Sequence, residues 1–203
     1  MNPNFYRNEA LDAIARNIIS RYDPSLLRTP APVPIEAIIE QVYKLTMEFQ
    51  HIRKNGRILG ETVFEDCMVP IYNKRSGEGY KLEPFKAGTI IIDASLFNCR
   101  SDGRYIYTCA HELSHYVIDK NYFLQLGKTA ALTAKAVRSS DTDKAIERQA
   151  NRLACRILMP KGTVKMAFYH NFGQSNMVKY LADYFRVSEE AMSYRLKELG
   201  LIS

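Results

Sequence analysis

The segment Cys109-Ala110-His111-Glu112-Leu113-Ser114-His115-Tyr116 lies in a stretch of helical periodicity, and it limits what the chain can fold into more than any other feature. In an α-helix, side chains at i and i+4 leave one face about 6 Å apart along the axis, so His111 and His115 can converge on one ion. Two imidazoles do not complete a site. A fold built around this helix has to bring a further ligand from another part of the chain, which requires a second element packed closely against the first.

A catalytic zinc of the hydrolytic type takes three protein ligands and keeps an open position for water. Asp119, at i+8 from His111, is about 12 Å away along the helix and cannot close the same coordination sphere. It either orients His115 or sits in solvent. Glu147 is the better third ligand. In "DKAIERQANRLACRILMP", Ile146, Ala150, Leu153 and Ile157 form an inward stripe, and Glu147 lies on its edge in line with Ala150, Ala154 and Leu158. The small alanines let this helix approach another closely; the competing reading makes Glu147 a surface residue paired with Lys144. Glu112 is beside His111 but off the two-histidine line. It is therefore free to take a proton from the attacking water and pass it to the leaving amine. Tyr107 and Thr108 read as core packing, with a lining role as the alternative. His51 and His170 read as surface or loop histidines, His170 keeping a place as a cleft candidate.

The order of elements follows from periodicity. A first amphipathic helix runs from about Phe5 to Tyr22, with Ala10, Ile14, Ala15 and Ile18 on one stripe. The Pro-rich stretch 29–34 breaks it from a second helix, which Pro34 starts and which carries Ile35, Ile38, Ile39 and Val42. Four short β-like runs follow, Leu45–Phe49, Gly60–Phe64, Met68–Tyr72 and Thr89–Ile92, and the segment from Asn73 to Gly88 reads as a long loop. After Gly103 the chain is helical, with Leu124–Arg138 a helix or ordered loop and Asp141–Met159 a helix stopped by Pro160. Helices, then a small mostly antiparallel sheet, then helices predict an α+β fold.

Composition excludes several classes. With 203 residues, 46% of them apolar, the chain can bury a core of its own. No apolar run is long enough for a membrane span and no signal-like start is present, so a soluble, non-exported protein is expected. Four widely spaced cysteines read as reduced, mostly buried thiols. A net charge of +6 permits an acidic partner without indicating one. Lys144, Arg148, Arg152 and Arg156 recur every fourth residue and read as a solvated basic face; docking an acidic segment of a substrate is the alternative.

"RYIYTCAHELSHYVID", followed about 30 residues later by "ERQANRLACRILMP", closely resembles the ImmA/IrrE-type metallopeptidases, whose hallmark is His-Glu-x-x-His with a downstream Glu on an Ala-rich helix ending in Leu-Met-Pro. The Pro-rich start of the second helix, "GTIIID", and the ending "LADYFRVSEEAMSYRLKELGLI" are similar to the family too. The resemblance implies a zincin-like domain over residues 1–170 and a helix-turn-helix-like extension over 171–203 packed on it. It assigns Zn2+ to His111, His115 and Glu147, and the catalytic carboxylate to Glu112. The implied protein is a cytoplasmic endopeptidase whose substrate is a helix-turn-helix repressor of a mobile element or stress regulon. Two positions depart from the family: Ser114 stands where Gly is usual, small enough to keep the helices close, and Gln149 stands where many relatives carry a second acid.

A competing reading makes the chain a DNA-binding or repressor-sequestering regulator with a structural or sensory metal site. In the carboxy-terminal helices Ser188 caps the second, and Glu189 and Glu190 follow where phosphates would approach, so specific nucleic-acid binding is not expected. The apolar groups Val178, Leu181, Ala182, Phe185, Val187, Ala191, Tyr194 and Leu196 are expected to pack on the core. The basic groups Lys179, Arg186, Arg195 and Lys197 are expected outside, interleaved with acids.

Overall fold

The computed structural model of the chain describes residues 3–73, 79–99, 103–125 and 141–203. Helix α1 (Asn8–Tyr22) buries Leu11, Ala15, Ile18 and Ile19. This face is rotated slightly from the expected stripe, leaving Ala10 and Ile14 half-buried, because the bulkier Leu11 and Ile19 set its centre. Asp23 then accepts from Ser25 N at 2.8 Å and caps a 3-10 turn at Pro24–Leu27. Helix α2 (Ile35–Ala37) continues as a π turn over Ile38–Val42 and buries Ile35, Ile38 and Ile39.

The strands are β1 (Thr46–Gln50), β2 (Gly60–Thr62), β3 (Cys67–Tyr72), β4 (Tyr80–Phe85) and β5 (Thr89–Asp93). All four expected runs form strands, and β4 is an addition inside the segment expected to be a loop. Its sequence Tyr-Lys-Leu-Glu-Pro-Phe does alternate, but the alternation acquires meaning only through antiparallel pairing with β3, Cys67 opposite Phe85 and Tyr72 opposite Tyr80. Pro70 and Pro84 are tolerated because each strand of this two-stranded sheet has an unpaired edge. The other sheet has the order β1-β5-β2, with β1 parallel and β2 antiparallel to β5.

Strand β5 is buried along its whole length and shows how the layers stack. Ile90 and Ile92 join the main helical core, whereas Ile91 points the other way, into a small cluster with Val63, Val69, Ile71 and Phe85. The alternation of a strand thus separates two apolar layers.

Helices α3 (Gly103–Ile118), α4 (Lys120–Gln125), α5 (Asp141–Leu158), α6 (Lys161–His170), α7 (Met177–Phe185) and α8 (Glu189–Glu198) complete the described fold. Most of the segment expected as a helix or ordered loop at Leu124–Arg138 lies outside the described residues. The expected inward stripe of α5 is buried throughout: Ile146, Ala150, Leu153 and Ile157 are each at most 2% exposed.

The main core is continuous from α1 to α8 and includes Leu181, Ala182, Phe185, Val187, Met192 and Leu196. Two expectations for the carboxy-terminal helices are corrected. Tyr194 is 57% exposed, and Met192 takes the buried place expected of it; Arg195 is 1% exposed, not an outer group. The turn between α7 and α8 sits against the start of α3, where a Cβ on Gly103 would lie 2.9 Å from the Val187 carbonyl carbon, so only glycine permits this approach. Among the described residues no helix is long and apolar enough to cross a membrane.

Candidate metal centre

Helices α3 and α5 pack against each other, with Ala110, Ala150 and Ala154 fully buried, and polar groups from both come together. His111 Nε2 is 3.0 Å from His115 Nε2 and 3.4 Å from Glu147 Oε2. His115 Nε2 is 3.0 Å from Glu147 Oε1. One donor atom from each of residues 111, 115 and 147 thus lies within 4.8 Å of the other two, a group that could hold a metal ion. Two imidazole nitrogens and a carboxylate so close would repel one another through their lone pairs unless a proton or a cation lies between them, so the donor set suits a divalent ion of the borderline kind.

Asp119 resolves one open alternative. It is 1% exposed, and its Oδ2 lies 2.8 Å from His115 Nδ1. It accepts the Nδ1 proton, which leaves the Nε2 lone pair directed at Glu147 and His111. Burial alone would lower the His115 pKa, but Asp119, then Glu147 and Glu112, outweigh it and push it up to about 9, so near neutrality Nε2 carries a proton unless a cation takes its place.

Glu112 is 3% exposed and turns away from the His111–His115 line toward strand β2. Thr62 Oγ1 lies 2.9 Å from Glu112 Oε2 and 3.0 Å from the Glu112 carbonyl oxygen, so its one proton is shared between two acceptors. A Cβ at Gly60 would come within 2.6 Å of Glu112 Cγ and Oε1. A glycine and a threonine two residues apart on β2 therefore fix the position of this carboxylate. Sequence reasoning missed both, because the contact spans about 50 residues and carries no local signal.

The remaining groups sort clearly. Tyr107 stacks beside His111, with ring centroids 6.4 Å apart, and donates from its hydroxyl to Asn151 Oδ1 at 2.8 Å. Burial first, then the neighbouring Cys155 and Glu147, hold the Tyr107 phenol far above its ordinary value, so it stays a neutral donor. Thr108 is buried and donates to the Arg104 carbonyl, away from the centre. Ser114 is fully buried and bonds back to the Ala110 carbonyl at 2.7 Å. Gln149 ties down the amino-terminal segment, accepting from Tyr6 N and donating to the Asn4 carbonyl. His51 and the exposed His170 are not among the convergent groups.

Residues 77–197, well over half of the chain, match the peptidase family M78, described as the IrrE N-terminal-like domain. The chain belongs to the M78 peptidase family. The match takes in β4, β5 and helices α3 to α7 and reaches into α8, so it spans the carboxy-terminal helices as well as His111, His115 and Glu147. The family is one of metallopeptidases, in keeping with the convergent His, His and Glu. No match is found among curated proteins. Among solved structures the fold is similar to a Mycobacterium tuberculosis transcriptional regulator, with a TM-score of 0.50 and 12% identity over 93% of this chain and 46% of that one. The M78 chain thus spans about half the length of that structure, and the likeness is one of fold.

Proposed function

We propose that this M78 protein is a zinc-dependent endopeptidase that cuts a regulatory protein, with a helix-turn-helix repressor as its substrate class and the cytoplasm as its compartment. The observation that carries this reading is the meeting of His111, His115 and Glu147 within 3.0–3.4 Å beside a separately held Glu112. We assign His111, His115 and Glu147 as ligands; two imidazoles and one carboxylate favour zinc over magnesium or calcium. The ion supplies Lewis acidity when bound, which makes a water more acidic and a peptide carbonyl more electrophilic.

The chain's own groups do the rest. Asp119 keeps His115 in the tautomer that presents Nε2. Glu112, steadied by Thr62, takes the proton of the attacking water and returns it to the leaving amine. Residues 1–170 form the peptidase domain in this reading, and residues 171–203 a helical extension that docks on it.

The test is to incubate the purified zinc-loaded protein with the helix-turn-helix regulator encoded nearest to it, with and without a chelator. Mass spectrometry should show one defined cut that the chelator abolishes. An intact regulator that co-elutes with the protein would instead support sequestration without cleavage.

A further inference from the structure

The basic stripe of α5 divides in the fold. Arg156, at its carboxy-terminal end, is buried in an ion-pair network with Asp12 and Glu198. Arg148 is exposed and makes no ion pair among the described residues. Arg152, half-buried, bonds to the neutral Asn8 side chain and so retains an uncompensated charge. Both Arg148 and Arg152 border a cavity of about 500 Å³ between α3, α5 and α8, whose other walls include Tyr107, Asn151, Tyr194 and Glu190.

This cavity adjoins the metal centre. Tyr107 precedes His111 by one helical turn and Asn151 follows Glu147 by one, and the hydrogen bond between them marks the boundary. One to two turns of helix is about 5–11 Å, which an extended peptide rising about 3.3 Å per residue covers in two to three residues. The volume suits a side chain with its flanking backbone. Arg148 and Arg152 are the cations of this lining and Glu190 its one carboxylate, leaving one net positive charge for an occupant to neutralise. The exposed ring of Tyr194 adds apolar surface for a side-chain stem.

We propose that this cavity is a substrate subsite that takes an aspartate or glutamate side chain two or three residues from the bond cut at the metal centre. The inference rests on the peptidase reading and narrows its substrates to segments with an acid at that distance. Arg148 is the principal recognition group, since a guanidinium can meet a carboxylate with two parallel hydrogen bonds. Glu190 on the opposite wall sharpens the choice by repelling a second acid.

Binding and cleavage test it separately. Labelled decapeptides that differ only by Glu, Gln or Lys at one scanned position are titrated against zinc-loaded Glu112→Gln protein by fluorescence anisotropy, with free glutamate and inorganic phosphate as small-anion controls. At one position Glu should bind roughly three- to tenfold more tightly than Gln, and Arg148→Glu should remove that preference or reverse it toward Lys. Arg152→Ala should reduce it. Equal binding of all peptides, or a preference that survives Arg148→Glu, overturns the subsite. So does Arg148-dependent binding of glutamate or phosphate without any peptide preference, which marks a small-anion site. The same peptides are incubated with the wild-type zinc-loaded protein and mapped by mass spectrometry. Cleavage indifferent to the acid removes the subsite and leaves the peptidase; an Arg148-dependent preference without any cleavage keeps the acidic docking site and removes the peptidase.

Discussion

Asp119 accepts from His115 Nδ1 at 2.8 Å, and this one contact leaves Nε2 as the nitrogen that faces His111 and Glu147. Asp119→Asn should therefore weaken zinc binding by about 10–100-fold without removing a ligand, measured by competition with a chromogenic chelator; unchanged affinity would make the contact merely structural. Glu112 and Glu147 separate chemistry from binding. Glu112→Gln should keep about one zinc per chain and the thermal midpoint while lowering cleavage by about 10²–10⁴-fold. Glu147→Ala should lose most of the metal itself. Elemental analysis of the two variants decides the matter, and equal loss of metal from both would exchange or abolish the assigned roles.

Helix α8 is held to the core by charge as well as by Met192 and Leu196. Arg195, 1% exposed, donates to Glu198 at 2.6 Å, to Asp12 at 3.3 Å and to the Met159 carbonyl at 3.0 Å. Arg156 meets the same two acids, its Nε 3.2 Å from Asp12 Oδ1 at ion-pair distance but without hydrogen-bond alignment. Two buried cations thus share two carboxylates. Burial alone would push the Glu198 carboxyl up, but Arg195 and Arg156 outweigh it and hold it below the ordinary glutamate range. A carboxyl depressed in the folded state contributes stability that is complete above its unfolded value and is lost as pH falls through its folded value. Glu198→Gln should accordingly destabilise the protein by about 3 kcal/mol near neutrality, because it leaves buried positive charge undercompensated. The gap from wild type should close in acid. Denaturant melts of both proteins from pH 7 down to pH 3 test this, and a gap independent of pH would show that packing, not charge, holds α8.

Across the whole molecule, the net charge of +6 is not gathered on the carboxy-terminal helices. Arg156 and Arg195 are consumed in the core, Lys179 pairs with Asp183 at 3.2 Å, and Glu189 and Glu190 occupy the first turn of α8. No continuous phosphate-binding stripe is left on the described carboxy-terminal helices. Duplex DNA binding should be weak, independent of sequence and lost between about 50 and 200 mM salt. A salt-resistant, sequence-specific mobility shift would instead promote the DNA-binding regulator over the peptidase.

Local patterns made much of this protein legible from its sequence alone. The i, i+4 pair His111 and His115, the carboxylate Glu147 at the edge of an apolar stripe, and the helix–sheet–helix order each depend on neighbours within one or two turns, and periodicity reports such neighbours directly. The tertiary structure decided everything that needed a partner distant in the chain. The strand Tyr80–Phe85 exists by virtue of β3; Thr62 and Gly60 acquire a role from Glu112, about 50 residues away. Arg156 and Arg195 are buried because α1 supplies Asp12. A charged or alternating segment carries no record of whether a complementary surface will reach it, since that is settled only when the elements pack.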